Sequence, residues 1–411
     1  MELKTAAKQI IEDAIRAALP DEAVKRALAG RELPEKVALV AIGKAAWQMA
    51  KATHDLLGSR IGKGIVITKY GHALHPLEGL AIYEAGHPVP DENSYRATQA
   101  AMDLAAELGE GDLVLFLISG GGSALFEKPL ISEAEMADVT AQLLACGAEI
   151  TEINTVRKRL SAVKGGKFAE ICAPAKVLSI VLSDIIGDPL DMIASGPAYP
   201  DSATTEDALR IVRTYGLVLS EEAMAALKVP TPKELSNVET VVTGSVKQLC
   251  DSAAETCRKL GFEPRILTAS LSCTARDAGS FLASVAQYHR EATHPVAYIL
   301  GGETVVKVTG TGKGGRNQEL ALAAAEGIAG MENAAVFSVG SDGTDGPTDA
   351  AGGYADGETR RKLLEKGIRI PDVLNNNDAY HALKAVDGLI ITGPTGTNVN
   401  DLTVLLLDQR G

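Results

Sequence analysis

Two glycine-rich loops in this sequence carry the residue types that anion chemistry needs. The first, Ser119-Gly120-Gly121-Gly122-Ser123, follows the apolar run Leu113 to Ile118. Consecutive glycines at such a point can turn several backbone N–H groups toward one anion. A tight strand-to-helix turn needs fewer glycines, so turn chemistry favours anion binding over packing alone. The second loop runs from Gly310 to Gly315, and Arg316-Asn317-Gln318 opens a helix after it. A cation at a helix start opposes the helix dipole by ~0.3–1 kcal/mol. Arg316 therefore reads as a functional residue that works against local stability. As a bare pattern, Gly310-x-Gly312-x-x-Gly315 also matches a dinucleotide fingerprint. The strand expected before it, over 305–309, is half polar at Lys307 and Thr309, where a dinucleotide-binding strand should be buried.

Lys44 is the lone cation of the turn Gly43-Lys44-Ala45, between the apolar strand expected over 36–42 and a helix. That places it at the carboxyl edge of a parallel sheet, where open α/β folds bind ligands. A solvated first-turn lysine explains the position equally well. Carboxylates gather in two loops, Asp184, Asp188 and Asp191, then Asp342, Asp345 and Asp349. Asp-Gly pairs form turns, and Asp-rich loops at strand ends also suit Mg²⁺, so both readings stay open for each. No His is paired with Ser123 by any motif, which counts against an acyl nucleophile. His72 and His87 read as loop hydrogen-bonders. The P-loop, protein-kinase, Gly-x-Ser-x-Gly and His-Glu-x-x-His patterns are missing, which closes the common NTPase, lipase and zincin routes.

The elements that must position these groups alternate strand and helix throughout. A length of 411 residues suits two α/β domains, and 46% hydrophobic with 4% aromatic residues suits parallel sheets built from Ala, Val, Ile and Leu. Val229-Pro230-Thr231-Pro232-Lys233 is the best linker, dividing the chain into domains 1–232 and 233–411. The expected fold class is α/β: an N-terminal Rossmann-like parallel sheet with helices on both faces, and a smaller C-terminal α/β domain with a mixed sheet. A net charge of −13 disfavours nucleic acid and anionic membranes as partners, so an anionic substrate must be drawn by local cations and N–H groups. The five cysteines are scattered with no Cys-x-x-Cys, a reducing-compartment profile without a disulfide framework or zinc site. No apolar run approaches ~18 residues, and a cytoplasmic location is expected.

Taken together, the stretches Gly43-Lys44-Ala45, Gly86 to Pro90, Ser119 to Leu125, Asn154 to Lys158, Ser183 to Pro197, Gly301 to Thr304, Gly312 to Leu320, Gly343 to Ala350 and Gly393 to Asp401 resemble the class II glycerate 2-kinases. The C-terminal domain of that family is named for a "multi-organism fragment with rich leucine". The resemblance runs in order from about Lys36 to the end of the chain. It implies ATP- and Mg²⁺-dependent phosphorylation of D-glycerate at its 2-hydroxyl, in a cleft between two domains. By motif it implies Lys44 and Arg316 as catalytic. ATP phosphates are expected at Ser119, Gly120, Gly121, Gly122 and Ser123, and substrate contacts at Arg157, Lys164 and Asn317. Asp188, or a neighbour, is the expected general base, with Mg²⁺ at Asp184, Asp188 and Asp191. The expected partner is D-glycerate, with a homodimer left open. Relatives labelled hydroxypyruvate reductases make an NAD(P)H-dependent reductase using the Gly310 loop the alternative. Arg159 stands where the family commonly has His, and Ala379 where it commonly has Ser. Arg159 is expected to add charge attraction in place of base chemistry.

Overall fold

The computed structural model describes residues 2–187, 189–291 and 293–409. It divides into two compact units, one of Ala23–Ser183 with Asp188–Thr243, the other of Met1–Glu22, Asp184–Gly187 and Gly244–Gly411.

The first unit is built on β1 (Val37–Ile42), β2 (Ile61–Lys69), β3 (Leu80–Ala85), β4 (Leu113–Ile118), β5 (Lys176–Leu182) and β6 (Val238–Gly244). They lie in the order β3-β2-β1-β4-β5-β6. Pairing is parallel from β3 through β5. β1 is buried at all six positions, as its unbroken apolar run requires of a strand covered on both faces. The order reverses between β1 and β4, so the loops leaving these two strands lie at the switch point where open α/β sheets bind ligands. Those are the Gly43-Lys44 and Ser119–Ser123 loops. Three of the chain's six phenylalanines, Phe116, Phe126 and Phe168, pack ring against ring at 4.9–5.9 Å and make a stiff floor beside the second loop.

The second unit holds β7 (Glu263–Leu271), β8 (Val296–Gly302), β9 (Ala334–Gly340), β10 (Gly352–Asp356), β11 (Leu389–Ile390) and β12 (Asp401–Leu407), in the order β11-β10-β9-β12-β8-β7. Only β7 with β8 is parallel; β12 runs antiparallel to both of its neighbours. This is the mixed sheet expected from the sequence. Helices Ala275–Tyr288 and Arg316–Gly327 pack on each other, and Leu282, Leu320, Ala324, Val336 and Leu405 belong to the core beneath them.

Two expectations are corrected. The division does not fall at the Pro230–Pro232 linker, because β6 lies beyond it and still joins the first sheet. Asn237 anchors that crossing: its carbonyl accepts from Val177 N at 2.8 Å, and its amide donates to Ala169 O and Ala175 O. At the other end of the chain, helix Leu3–Ala17 packs on helix Val246–Lys259 and on β9 of the second unit, burying Ile10, Ile11, Ala14 and Ile15. Secondly, residues 305–309 are not a strand: Val305 makes one isolated bridge to Thr274, and Lys307 and Thr309 have no ladder to join. No described helix is long and apolar enough to cross a membrane.

Candidate active site

Lys44 leaves β1 through a turn that only glycine can precede. Gly43 has φ +110°, and a Cβ there would lie 2.3 Å from both the carbonyl and the hydroxyl oxygen of Ser119. The turn is stitched to the neighbouring loop: Lys44 N donates to Gly120 O at 2.8 Å, and Ala45 N donates to Ser119 Oγ at 3.0 Å. Ser119 Oγ in turn donates to Ile42 O at 3.1 Å, so this buried hydroxyl is taken up inside the fold. His72 and His87 flank the site as loop residues. His72 Nδ1 lies 3.0 Å from Lys44 O, and His87 lies against Gly121 beside the Lys44 stem. The Lys44 ammonium itself pairs with no carboxylate among the described residues. Nor does any acceptor among them take the N–H groups of Gly120, Gly121, Gly122 and Ser123. Four successive donors and one cation are therefore available to an anion. Gly43→Ala is expected to destabilise the chain by about 2–4 kcal/mol through strain and overlap, read as a lowered urea midpoint.

The basic residues beyond this loop do something else. Lys164 is fully buried: its ammonium donates to Ser123 O (2.8 Å) and Phe126 O (3.0 Å) and ion-pairs with buried Glu127 at 2.8 Å. Burial pushes its pKa down to about 8, against the pull of Glu127. Arg157 reaches the same Glu127 at 3.6 Å. Lys158 pairs with buried Asp201 at 3.1 Å, and Lys167 donates to the carbonyls of Lys158, Arg159 and Ser161 at the end of helix Ile150–Leu160. Arg159 is buried, with its guanidinium on Thr205 Oγ1, Val229 O and Ala203 O. It ties three chain segments together, which corrects the expectation that it adds charge attraction. Lys164 likewise props the glycine loop from beneath.

In the second unit Arg316 is the first residue of helix Arg316–Gly327. Asp401, at the start of β12, accepts from its Nε at 2.6 Å and its Nη2 at 3.0 Å, and Glu303 accepts from Nη1 at 2.9 Å. Burial works against this charge, but Asp401 and then Glu303 hold the guanidinium above its ordinary range. The side-on grip of Asp401 fixes the plane of the fork and leaves one N–H on each terminal nitrogen uncommitted. Asn317 is buried: its N–H meets Asp345 Oδ1 at 3.1 Å and its side-chain oxygen accepts from Ser338. Asp345 also accepts from Gln318 N at 2.9 Å, so this turn-loop carboxylate caps the helix from a distant part of the chain. Burial raises its pKa to about 6, opposed by those N–H bonds.

That shift has a testable sign. A carboxyl whose pKa is raised on folding makes the folded state bind more protons between the ordinary value and about 6, so stability falls as pH rises through that window. A rise of roughly two pH units corresponds to about 3 kcal/mol. The urea stability of the unmodified chain, compared with Asp345→Asn, is expected to decline between pH 4 and 6 and to level off above.

Comparison with known proteins agrees along the whole chain. Residues 6–228 match the domain of unknown function DUF4147, and residues 296–401 match the MOFRL family. A D-glycerate 2-kinase of Thermotoga maritima is 53% identical over 98% of both chains. The chain belongs to the glycerate 2-kinase family. A glycerate 2-kinase of Pyrococcus horikoshii is 40% identical, covering all of this chain and 98% of that one. The crystal structure of the Thermotoga maritima glycerate kinase superposes with a TM-score of 0.94 at 52% identity, over 98% of this chain and 99% of that one.

For a member of the glycerate 2-kinase family, the fate of the Gly310 loop is informative. Its N–H groups from Thr309 to Lys313 are already engaged: Thr309 and Gly310 donate to Asn377 Oδ1, Thr311 to Asn376 Oδ1, Gly312 to Asn376 O and Lys313 to Asp378 Oδ1. A Cβ on Gly310 or Gly312 would lie 2.3–2.5 Å from Asn376 O. These glycines admit the 376–378 segment, not a pyrophosphate. Asp401 is the site residue that the sequence did not single out; its signal was the Asn398-Val-Asn-Asp401 end of a matching motif. Of the expected metal ligands, Asp188 lies outside the described residues, as does its role as base. Asp191 is committed to Ser202 at 3.1 Å and faces Lys158 at 3.5 Å. Asp184 follows the end of β5 with no hydrogen-bond or ionic partner among the described residues. No group of three or more potential metal ligands occurs among the described residues.

Proposed function

We propose that this chain transfers the γ-phosphoryl group of ATP to the 2-hydroxyl of D-glycerate, giving 2-phosphoglycerate and ADP. The observation that carries the phosphate half of this reading is the row of uncommitted N–H groups from Gly120 to Ser123 beside the unpaired Lys44. Phosphoryl transfer is mainly positioning and charge stabilisation, and such a set supplies both without prior reorganisation. Arg316, its plane set by Asp401, is the second catalytic charge by family motif, and its remaining N–H groups suit an anionic oxygen. The choice of glycerate rests on the kinship with glycerate 2-kinases over the full chain.

The polar groups of Lys164 and Asn317 are bonded within the fold, which speaks against either as a substrate contact. Arg157 remains a candidate, and Asp188 stands as the proposed general base. Mg²⁺ takes one or two carboxylates together with phosphate oxygens. Asp184 fits that need as a single uncommitted carboxylate; Asp191, beside an ammonium, does not. The reductase alternative, the name carried by two Agrobacterium vitis relatives at 38% and 37% identity, loses its dinucleotide loop to Asn376–Asp378.

The test is direct. With Mg-ATP and D-glycerate, ³¹P NMR is expected to show ADP and 2-phosphoglycerate in equal amounts. Formation of 3-phosphoglycerate, or NADH oxidation with hydroxypyruvate and no ADP, would sink the assignment.

A further inference from the structure

The turn Ala194-Ser195-Gly196 is left-handed at three successive residues, with φ of 52°, 62° and 63°. Two of them carry side chains, for which this conformation is strained. Backbone bonds hold it in place. Ser195 N donates to Met192 O at 2.9 Å, Ser195 O accepts from Gly165 N at 3.0 Å, and Gly196 O accepts from Gly166 N at 2.7 Å. The outcome is that the fully buried Ser195 side chain meets the glycine loop, its Oγ 3.0 Å from Ser123 Oγ.

Ser195 Oγ has no other partner among the described residues. Either hydroxyl could be the donor in that pair, but the two choices are not equivalent. If Ser123 donated inward, the Ser195 proton would be left buried without an acceptor, the costlier arrangement. With Ser195 donating, its proton is satisfied and the proton of the partly exposed Ser123 is free to point away. We infer that Ser195 is a positioning residue that fixes Ser123 as a hydrogen-bond donor to a phosphate oxygen of ATP. The inference rests on the reading of Gly120–Ser123 as the phosphate loop. It also accounts for the strained turn, since a relaxed one would not put a hydroxyl at this point.

The test is a double-mutant cycle read in KM for ATP and for D-glycerate. Ser123→Ala is expected to raise KM for ATP about tenfold, the worth of one hydrogen bond to a charged group, with KM for glycerate unchanged. Ser195→Gly removes the hydroxyl and relieves the positive φ, so the melting temperature should not fall, yet KM for ATP should rise about three- to fivefold. The double variant should be no worse than Ser123→Ala alone. A purely structural serine would instead lower the melting temperature and move both KM values. Ser195→Ala repeats the measurement should the glycine variant fold poorly. An unchanged KM for ATP in both Ser195 variants, with Ser123→Ala impaired, overturns the inference and leaves the phosphate loop standing. Fully multiplicative effects in the double variant overturn it too. An unchanged KM for ATP in Ser123→Ala removes Ser123 as a phosphate donor, and the inference with it.

Discussion

Lys44→Ala is expected to lower kcat by about 100- to 1,000-fold, the usual cost of losing one preorganised charge stabiliser, while the melting temperature stays close to that of the unmodified chain. The two halves of this expectation have one cause. The Lys44 ammonium is paired with no carboxylate among the described residues, so deleting it strands no internal charge. Its backbone, which makes the bonds to Gly120 O and to His72, is untouched by the substitution. Steady-state kinetics alongside a thermal melt checks both halves. A kcat within a fewfold of the original would remove Lys44 from the chemistry. A collapse of the melting temperature would make it a structural lysine like Lys164.

Arg316 calls for a different experiment, because it is embedded. Removing it would leave the buried Asp401 carboxylate without its bidentate partner. Breaking a buried pair costs about 3–5 kcal/mol, and with 34% of the Arg316 side chain in water about 2–3 kcal/mol is the better expectation. Arg316→Ala should therefore lose both turnover and stability, not turnover alone as the motif suggests. The clean variant is Arg316→Lys, which keeps the charge against Asp401 but loses the planar fork. It is expected to keep most of the stability and to lose about 100-fold in kcat/KM. Asp401→Asn should mimic part of that loss, since a carboxamide offers one acceptor atom and sets its NH₂ against a guanidinium N–H where Asp401 has two oxygens. If Arg316→Lys turned over normally, the oriented-fork account would be wrong, whatever its stability.

The sequence was legible where a residue type has one strong explanation. The buried run Val37–Ile42 could only be a covered strand, and the lysine following it had to sit at the sheet's carboxyl edge. The glycines were harder. Ser119–Ser123 and Gly310–Gly315 look alike on paper, because glycine serves equally for the approach of a ligand and for the approach of the chain's own backbone. Only the structure reveals that Asn376, Asn377 and Asp378, more than sixty positions later, take the donors of the second loop. The same ambiguity hid the basic stretch Arg157 to Lys167. A cluster of cations suggests an anionic ligand, yet Lys158, Arg159, Lys164 and Lys167 are engaged by Asp201, Glu127 and backbone carbonyls. The strand over 239–242 was legible, but the sheet that β6 joins was not, for a further reason. Prolines mark a break in local structure but say nothing about which sheet the next strand will join.

Helix Leu3–Ala17 bears on how the chain matures. Its apolar stripe is covered by helix Val246–Lys259 and β9, and Thr397 Oγ1 donates to Ala18 O at 2.7 Å. During ribosomal synthesis this helix emerges well before the segments that bury it. The whole β1–β5 sheet can assemble while Ile10, Ile11, Ala14 and Ile15 wait in solvent. The second unit is thus closed by contacts between segments more than two hundred positions apart in the chain. A fragment carrying only the MOFRL half would expose the matching surface permanently.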